Sequence, residues 1–394
     1  MSAAVSSYVT SVARTPKKIS VLHIIHSVCH GGIESAVINW VRFLDRSELN
    51  VHVACFMGDR GREAAFCQAA ERVGITVLPI PWTKYKPFFR AARAVAQMVR
   101  DLDVDIVHTH SYYGDAVGAL TKLFVPVKTV STVYVWGKYE FHRQLMQAMD
   151  WTALHFVDKV TAHCDDTYEK TVRLGFHPEQ VTKLIAGFPA HEVTRLDSDA
   201  RLALRRSMGV NDDEILMLNV ARIHPEKAHD QLIHSFKKVH EKHPNARLWI
   251  AGVGWAELEQ QLQTLRDQLG LTDKITFIGF HSDLQPLLNM ADIMTHPSHV
   301  EGVPIAILLG MSAGLPIVIS DVGGVRETIK HNRTGILIAE NDEAGFADQV
   351  NHLIEDRDFA QRLGESARSF VSNEYSINTA VTHVKDTYKQ VLHQ

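Results

Sequence analysis

Cysteine is scarce: Cys29, Cys55, Cys67 and Cys164 are the only four in 394 residues, and no two are spaced Cys-x-x-Cys. That excludes a disulfide framework and a cysteine-built zinc site, and it fits free thiols in a reducing compartment. No stretch approaches the roughly 18 apolar residues that a membrane-crossing helix needs. Met1–Lys18 has no apolar core of the kind a secretory signal carries. Neither sign of charge dominates, with 41 Lys and Arg against 45 Asp and Glu. The net charge of −4 gives no basic surface for nucleic acid. Short-period repeats and low-complexity tracts are absent, which excludes solenoids. The 23 histidines are numerous but scattered, and they do not announce a metal protein.

What is present is ordinary globular material, 45% hydrophobic and 22% charged, in a chain long enough for two cores. After a tail rich in Ser, Ala and Thr over residues 1–16, short apolar runs alternate with helical patterns. Ile19–Ile25, Val51–Phe56, Thr76–Ile80, Ile106–His110, Lys128–Val133, Lys159–Ala162 and Val181–Ile185 read as strands. Ile33–Leu44, Arg62–Val73 and Phe88–Asp101 read as helices between them. Such alternation implies a parallel sheet with helices on both faces. Pro189, Asp197–Asp199 and Asn211–Asp213 break the pattern, so a linker is expected over Gly187–Asp213. Alternation restarts with Ile215–Val220, Arg247–Ala251, Ile275–Ile278, Ile293–His296, Ile317–Ser320 and Gly335–Ile338, and a helical tail follows from Asp342.

Parallel sheets bind ligands at the carboxyl ends of their strands, and four such ends stand out. The first is Ile25-His-Ser-Val-Cys-His-Gly31-Gly32-Ile-Glu34, a strand, a glycine pair and a helix start. Glycines there let the backbone approach a phosphate or sugar closely, although a plain tight turn has the same composition. The second is His108-Thr-His110, two histidines on one face of a strand end. No third metal ligand is evident, and a core histidine is the plain reading of His108. The preceding Asp103-Val-Asp105 reads as a helix-to-strand turn. The third end is Arg222 with Lys227 five residues on, two cations that suit a diphosphate.

The fourth end gathers Gly252, Gly254, Gly279, Phe280 and the stretch His296-Pro-Ser-His-Val-Glu301-Gly302-Val303-Pro304. Pro304 suits the first helical position, and Gly314 can stop that helix. A helix start of this kind directs N–H groups and a positive dipole end toward an anion, with Glu301 beside it for sugar hydroxyls.

Glu301-Gly-x-Pro304, the Arg222/Lys227 pair and Gly31-Gly-x-Glu34 together resemble the retaining glycosyltransferases of family four. The resemblance runs from Lys17 to near the C-terminus. It implies the GT-B fold: two Rossmann-like doubly wound parallel-sheet domains facing a central cleft. Residues 17–194 would form an acceptor-binding domain, joined by a C-terminal helix over 378–394 that crosses back. Residues 195–377 would bind the nucleotide sugar. The implied activity is retaining transfer of a hexose from a UDP- or GDP-linked sugar to a saccharide or lipid-linked acceptor, in envelope polysaccharide or glycoconjugate synthesis. No cofactor and no metal are implied. Glu301, His110, Arg222 and Lys227 take catalytic roles by this resemblance. Gly31, Gly32, Gly252, Gly279, Phe280, Gly302, Val303, Pro304 and the 309 position meet the donor, and Tyr134 and Glu34 meet the acceptor.

Two positions depart from the family pattern. Leu309 stands where a second Glu accepts hydrogen bonds from ribose, and Tyr134 stands where a His often touches the sugar. They keep two alternatives open: a non-catalytic partner or sugar-binding subunit of the same fold, and a nucleotide-sugar 2-epimerase. The expected location is the cytoplasm. The cations and aromatics Trp82, Lys84, Tyr85, Lys86, Phe88, Phe89, Arg90, Arg93 and Arg100 suit the inner face of the plasma membrane, and they equally suit an amphipathic helix packed on the sheet.

Overall fold

The computed structural model describes residues 17–27, 31–58, 61, 63–136 and 141–393. The tail 1–16, Val28, Cys29, His30 and Arg62 lie outside them. The first half runs β1 (Ile19–Ile25), α1 (Gly32–Phe43), β2 (Leu49–Met57), α2 (Ala64–Arg72), β3 (Val77–Pro81), α3 (Phe88–Asp101), β4 (Ile106–His110), α4 (Tyr112–Thr121), β5 (Lys128–Val133), α5 (Phe141–Leu154), β6 (Lys159–Ala162), α6 (Asp165–Arg173) and β7 (Val181–Lys183). The second half runs α7 (Ser198–Ser207), β8 (Ile215–Val220), α8 (His229–Lys242), β9 (Ala246–Ala251), α9 (Ala256–Gln268), β10 (Ile275–Gly279), α10 (Gln285–Met290), β11 (Ile293–His296), α11 (Ile305–Ser312), β12 (Ile317–Ser320), α12 (Val325–Thr328) and β13 (Ile336–Ile338). Three helices close the chain: α13 (Glu343–Glu355), α14 (Arg357–Glu374) and α15 (Ile377–His393).

The strands form two all-parallel sheets, ordered β3-β2-β1-β4-β5-β6-β7 and β10-β9-β8-β11-β12-β13. Both orders reverse beside their first strand, and such switch points open a crevice at the strand ends. The central strands are apolar on both faces because helices cover both; β1 is buried from Ser20 to Ile25. Pro79 and Pro81 fit β3 because it is an edge strand, where a missing N–H breaks no ladder. In α3, Ala91, Ala92, Val95, Ala96 and Val99 are buried at helical spacing, and the opposite side is solvated.

Within the expected linker, α7 forms with Asp197 as its N-cap, accepting from the Ala200 N–H at 2.8 Å. Arg201 and Arg205 tie it to Asp292, just before β11, at 2.8 and 3.1 Å. The last helix returns to the first sheet. Ile377, Ala380, Val384, Tyr388 and Val391 of α15 pack with Val21, Trp40, Ile106 and Val130, while Lys385 and Lys389 pair with Glu48. Among the described residues, no helix is long and apolar enough to cross a membrane.

Candidate active site

A crevice of about 490 Å³ lies between the two sheets. One wall belongs to the second half. Here α11 begins at its N-cap Pro304 with no side chain capping it, one residue later than the sequence suggests. Pro304 has an extended backbone and occupies the position before the first helical residue. Gly314, at φ +75°, ends the helix: Leu315 N–H donates to the Gly310 carbonyl and Gly314 N–H to that of Met311.

Glu301 sits at the mouth of this helix. Its Oε1 accepts from Lys227 Nζ at 2.6 Å and lies 2.6 Å from His296 Nε2. Burial alone would raise the Glu301 carboxyl, but the Lys227 ammonium and His296 outweigh it and hold it well below the usual carboxylate range. The expected assignment of Lys227 to a phosphate and Glu301 to a sugar therefore meets a difference: the two form a direct ion pair. The turn carrying Lys227 is fixed to the Glu301 loop through the Glu226 carbonyl, which accepts from Ser298 Oγ and His299 N–H, each at 2.8 Å. Gly323 closes over the same loop at φ +52°. A Cβ there would lie 2.0 Å from the Glu301 carbonyl oxygen, so no side chain fits.

Gly252 lines the crevice and also has a packing role. A Cβ on Gly252 would lie 1.9 Å from the Ala221 carbonyl oxygen, so this glycine lets the loops after β8 and β9 pack together. Gly279 supplies a φ of +70° and accepts from the Gly252 N–H at 2.8 Å. Phe280, the next residue, lines the crevice and is half exposed. Gly302, Val303, Pro304 and Leu309 also line it, together with Arg222.

The facing wall belongs to the first half. Gly31 and Gly32 open α1 directly opposite α11, and the Gly32 Cα side faces Ile305, where an added Cβ would lie 3.7 Å from its side chain. Glu34, expected to meet an acceptor, is buried instead and accepts from the Gly31 N–H at 3.1 Å. Burial raises its carboxyl pKa. Tyr134 lines the crevice, and its carbonyl meets the other half: a Cβ on Gly302 would lie 2.4 Å from that oxygen.

His110 is fully buried and reaches the crevice only through Tyr134, whose hydroxyl lies 2.9 Å from His110 Nδ1. Direct contact of His110 with a substrate is thus not what this geometry offers. The reading that His108 and His110 lack a third histidine is also corrected. Register places His23 of β1 directly beside His108, and the nearest nitrogens of His23, His108 and His110 lie within 4.8 Å. Each ring nitrogen of the three already has a hydrogen-bond partner, so a cation there would displace those bonds.

Burial keeps all three histidines neutral at neutral pH. His23 falls to about 3, and His108 and His110 drop well below the ordinary value, with their neighbouring rings adding to the effect. His163, also lining the crevice, falls to about 4 by burial. His23 and His163 were not singled out from sequence, and His296 and Tyr388 were not assigned to the site. His296 ended a recognised strand and stood five residues before Glu301; the others depended on register and on the return of α15.

The chain matches the family described as glycosyl transferases group 1 over residues 201–370, and Glycosyltransferase Family 4 over residues 30–184. It is 30% identical over 295 residues to an uncharacterised glycosyltransferase of Methanocaldococcus jannaschii, covering 72% of this chain and 75% of that one. It is 23% identical over 338 residues to the N-acetyl-alpha-D-glucosaminyl L-malate synthase of Bacillus anthracis, covering 81% and 83%. Anabaena HepE, solved in complex with UDP-glucose, has the same fold with a TM-score of 0.85 at 20% identity, over 94% of this chain and 100% of that one. With two facing Rossmann-like sheets and a last helix that returns to the first, this chain belongs to glycosyltransferase family 4 and has the GT-B architecture.

Proposed function

We propose that this protein transfers a hexose, with retention of configuration and without a metal, from a UDP- or GDP-linked sugar to a saccharide or lipid-linked acceptor. The observation that carries the reading is the Lys227–Glu301–His296 cluster at the open start of α11, facing Arg222 and the start of α1. Two helix starts and a guanidinium suit a diphosphate, whose charge grows as the sugar departs. The Glu301 carboxylate suits sugar hydroxyls and an oxocarbenium-like centre. The departing phosphate takes the acceptor proton on the same face, so positioning and charge stabilisation carry the rate. Domain closure is proposed to hinge where Gly187 and Phe188 cross Tyr375 and Ser376; Phe188 N–H donates to the Tyr375 carbonyl at 2.7 Å.

A screen of nucleotide sugars for released nucleoside diphosphate tests the proposal, with transfer insensitive to chelators. Unchanged turnover in both Glu301→Ala and Lys227→Ala would sink the assigned site. Leu309 favours one alternative, a non-catalytic sugar-binding partner. It lines the crevice and cannot accept a ribose hydroxyl, and each unpaired buried hydroxyl costs about 1–3 kcal/mol. Calorimetry showing no nucleoside diphosphate binding would favour that alternative, whereas binding with donor hydrolysis would favour the enzyme.

The membrane reading narrows to fewer residues. Trp82 is buried and Phe88 packs against it, leaving Tyr85 at 81% and Phe89 at 61% exposure beside Lys84, Lys86 and Arg90. We propose that these residues meet an anionic inner leaflet, consistent with a lipid-linked acceptor and a role in envelope glycoconjugate synthesis. Sedimentation with anionic vesicles at low salt, lost on charge reversal at Lys84 and Lys86, is the expected result.

A further inference from the structure

Seven hydrogen bonds run in one line from the crevice into the first sheet. Tyr134 Oη meets His110 Nδ1 at 2.9 Å, His110 Nε2 meets His23 Nδ1 at 3.0 Å, and His23 Nε2 meets Tyr388 Oη at 3.2 Å. Tyr388 Oη then meets His108 Nδ1 at 2.8 Å, His108 Nε2 meets Thr132 Oγ1 at 2.7 Å, and Thr132 Oγ1 meets Thr161 Oγ1 at 2.7 Å. Thr161 Oγ1 ends the line on the Ser131 carbonyl at 3.1 Å.

The far end decides the direction of every link. A carbonyl has no proton, so Thr161 donates to it. Thr132 must then donate to Thr161, and His108 Nε2–H to Thr132. His108 Nδ1 is left to accept from Tyr388, whose oxygen accepts from His23 Nε2–H. His23 Nδ1 accepts from His110 Nε2–H, and His110 Nδ1 accepts from Tyr134. Every proton is used once and every group is neutral. Between His23 and His110, where nitrogen meets nitrogen at 3.0 Å, one ring in the opposite tautomer would set two N–H groups or two lone pairs face to face, and at His108 the hydroxyls of Tyr388 and Thr132 would have to turn and the bond to the Ser131 carbonyl would be lost.

We propose that His23, His108 and Tyr388 are positioning residues that act on the crevice through this one-way line. They turn the Tyr134 hydroxyl proton inward, so that Tyr134 offers the crevice only lone pairs. A sugar hydroxyl that meets Tyr134 must therefore be the donor of the bond. This rests on the reading that the crevice holds a sugar donor. It also assigns a task to Tyr388, which the returning helix α15 brings 280 residues from His108. The return of α15 thus links the crevice wall to the docking of the C-terminus.

Long-range proton–nitrogen spectra of histidine-labelled protein read the tautomers directly, with signals assigned by single replacements. The expected result is that His23, His108 and His110 all carry the proton on Nε2. Thr161→Val removes the anchor without touching a histidine, and Tyr388→Phe removes the midpoint with little change of shape. Both are expected to mix the tautomers of His23 and His110. Both should also raise the donor KM about three- to tenfold, the worth of one hydrogen bond, in protein that still unfolds in one cooperative thermal transition.

A wild type with unlike tautomers, or with all three protons on Nδ1, overturns the direction of the line. Tautomers unmoved by both variants overturn the coupling. Mixed tautomers with unchanged KM and kcat overturn the positioning role. If no nucleotide sugar is turned over by any form, the glycosyltransfer reading fails, while the spectra still decide whether the line exists.

Discussion

The two walls of the crevice solve burial in opposite ways. On the α11 wall, Glu301 and His296 are buried beside the partly buried Lys227, and the carboxylate is held charged by its neighbours. On the facing wall, His23, His108 and His110 are buried together and are held neutral. Behind that wall the same rule extends to Asp115 and Asp150, between α4 and α5. Burial raises Asp115 to about 6 and Asp150 well above its ordinary value, and Asp115 accepts from Thr109 and, at 2.5 Å, from Ser131. The contrast teaches a division of labour. A charged wall suits a diphosphate and a departing anion; a neutral, directional wall suits hydroxyl groups.

The strongest way to break the comparison is to remove charge from the first of these walls. Lys227→Met leaves the Glu301 carboxylate short of its cation and should cost about 3–5 kcal/mol of stability by chemical denaturation. Adding Glu301→Gln should restore most of that stability, because the buried charge is gone. Transfer should stay about 100-fold or more down in both forms. Recovery of activity together with stability would show that the pair is structural only.

Next comes Gly323→Ala. Its φ of +52° and the 2.0 Å approach to the Glu301 carbonyl predict a loss of about 1–3 kcal/mol and displaced Glu301. A thermal transition equal to wild type with full turnover would contradict this.

The pH dependence sharpens the contrast further. The Glu301 pKa is lowered on folding, so its stabilisation is present above the unfolded value of 4.5 and fades as pH falls below it. The Asp115 pKa is raised, so its contribution is full below 3.8 and is lost as pH rises through about 6. Asp150→Asn should therefore flatten the fall in stability on the neutral side, and Glu301→Gln should flatten it on the acid side. Urea melts of both variants at several pH values separate the two walls.

The smallest expected effect concerns Leu309. Leu309→Glu supplies the acceptor that this chain lacks and should lower the donor KM by about threefold, a fraction of one hydrogen bond. A donor KM that rises instead would mean that the ribose lies elsewhere.

Much of this was legible in the chain. Ile19–Ile25, Ile106–His110, Lys128–Val133, Lys159–Ala162, Ile293–His296 and Phe88–Asp101 have the bounds that hydrophobic patterning suggests. Glu301, Arg222, Lys227, Gly302 and Pro304 do gather at one crevice. The misreadings were of partners. His110 is screened by Tyr134, and Glu34 turns back onto Gly31. Around Lys84–Phe89 the sequence left open a membrane patch and a helix packed on the sheet, and Phe88 packs inward on Trp82 while Tyr85 and Phe89 stay exposed.

The sequence by itself determined the alternation of strand and helix, the two sheets and the chemistry of the α11 start. Those depend on local periodicity and on residues close together in the chain. Only the tertiary structure decided that Lys227 pairs with Glu301 across 74 residues, and that Tyr388 completes a line begun by His23 across 365. Strand register and the return of the last helix set these meetings. Both follow from the packing of whole surfaces, which no short window of sequence contains.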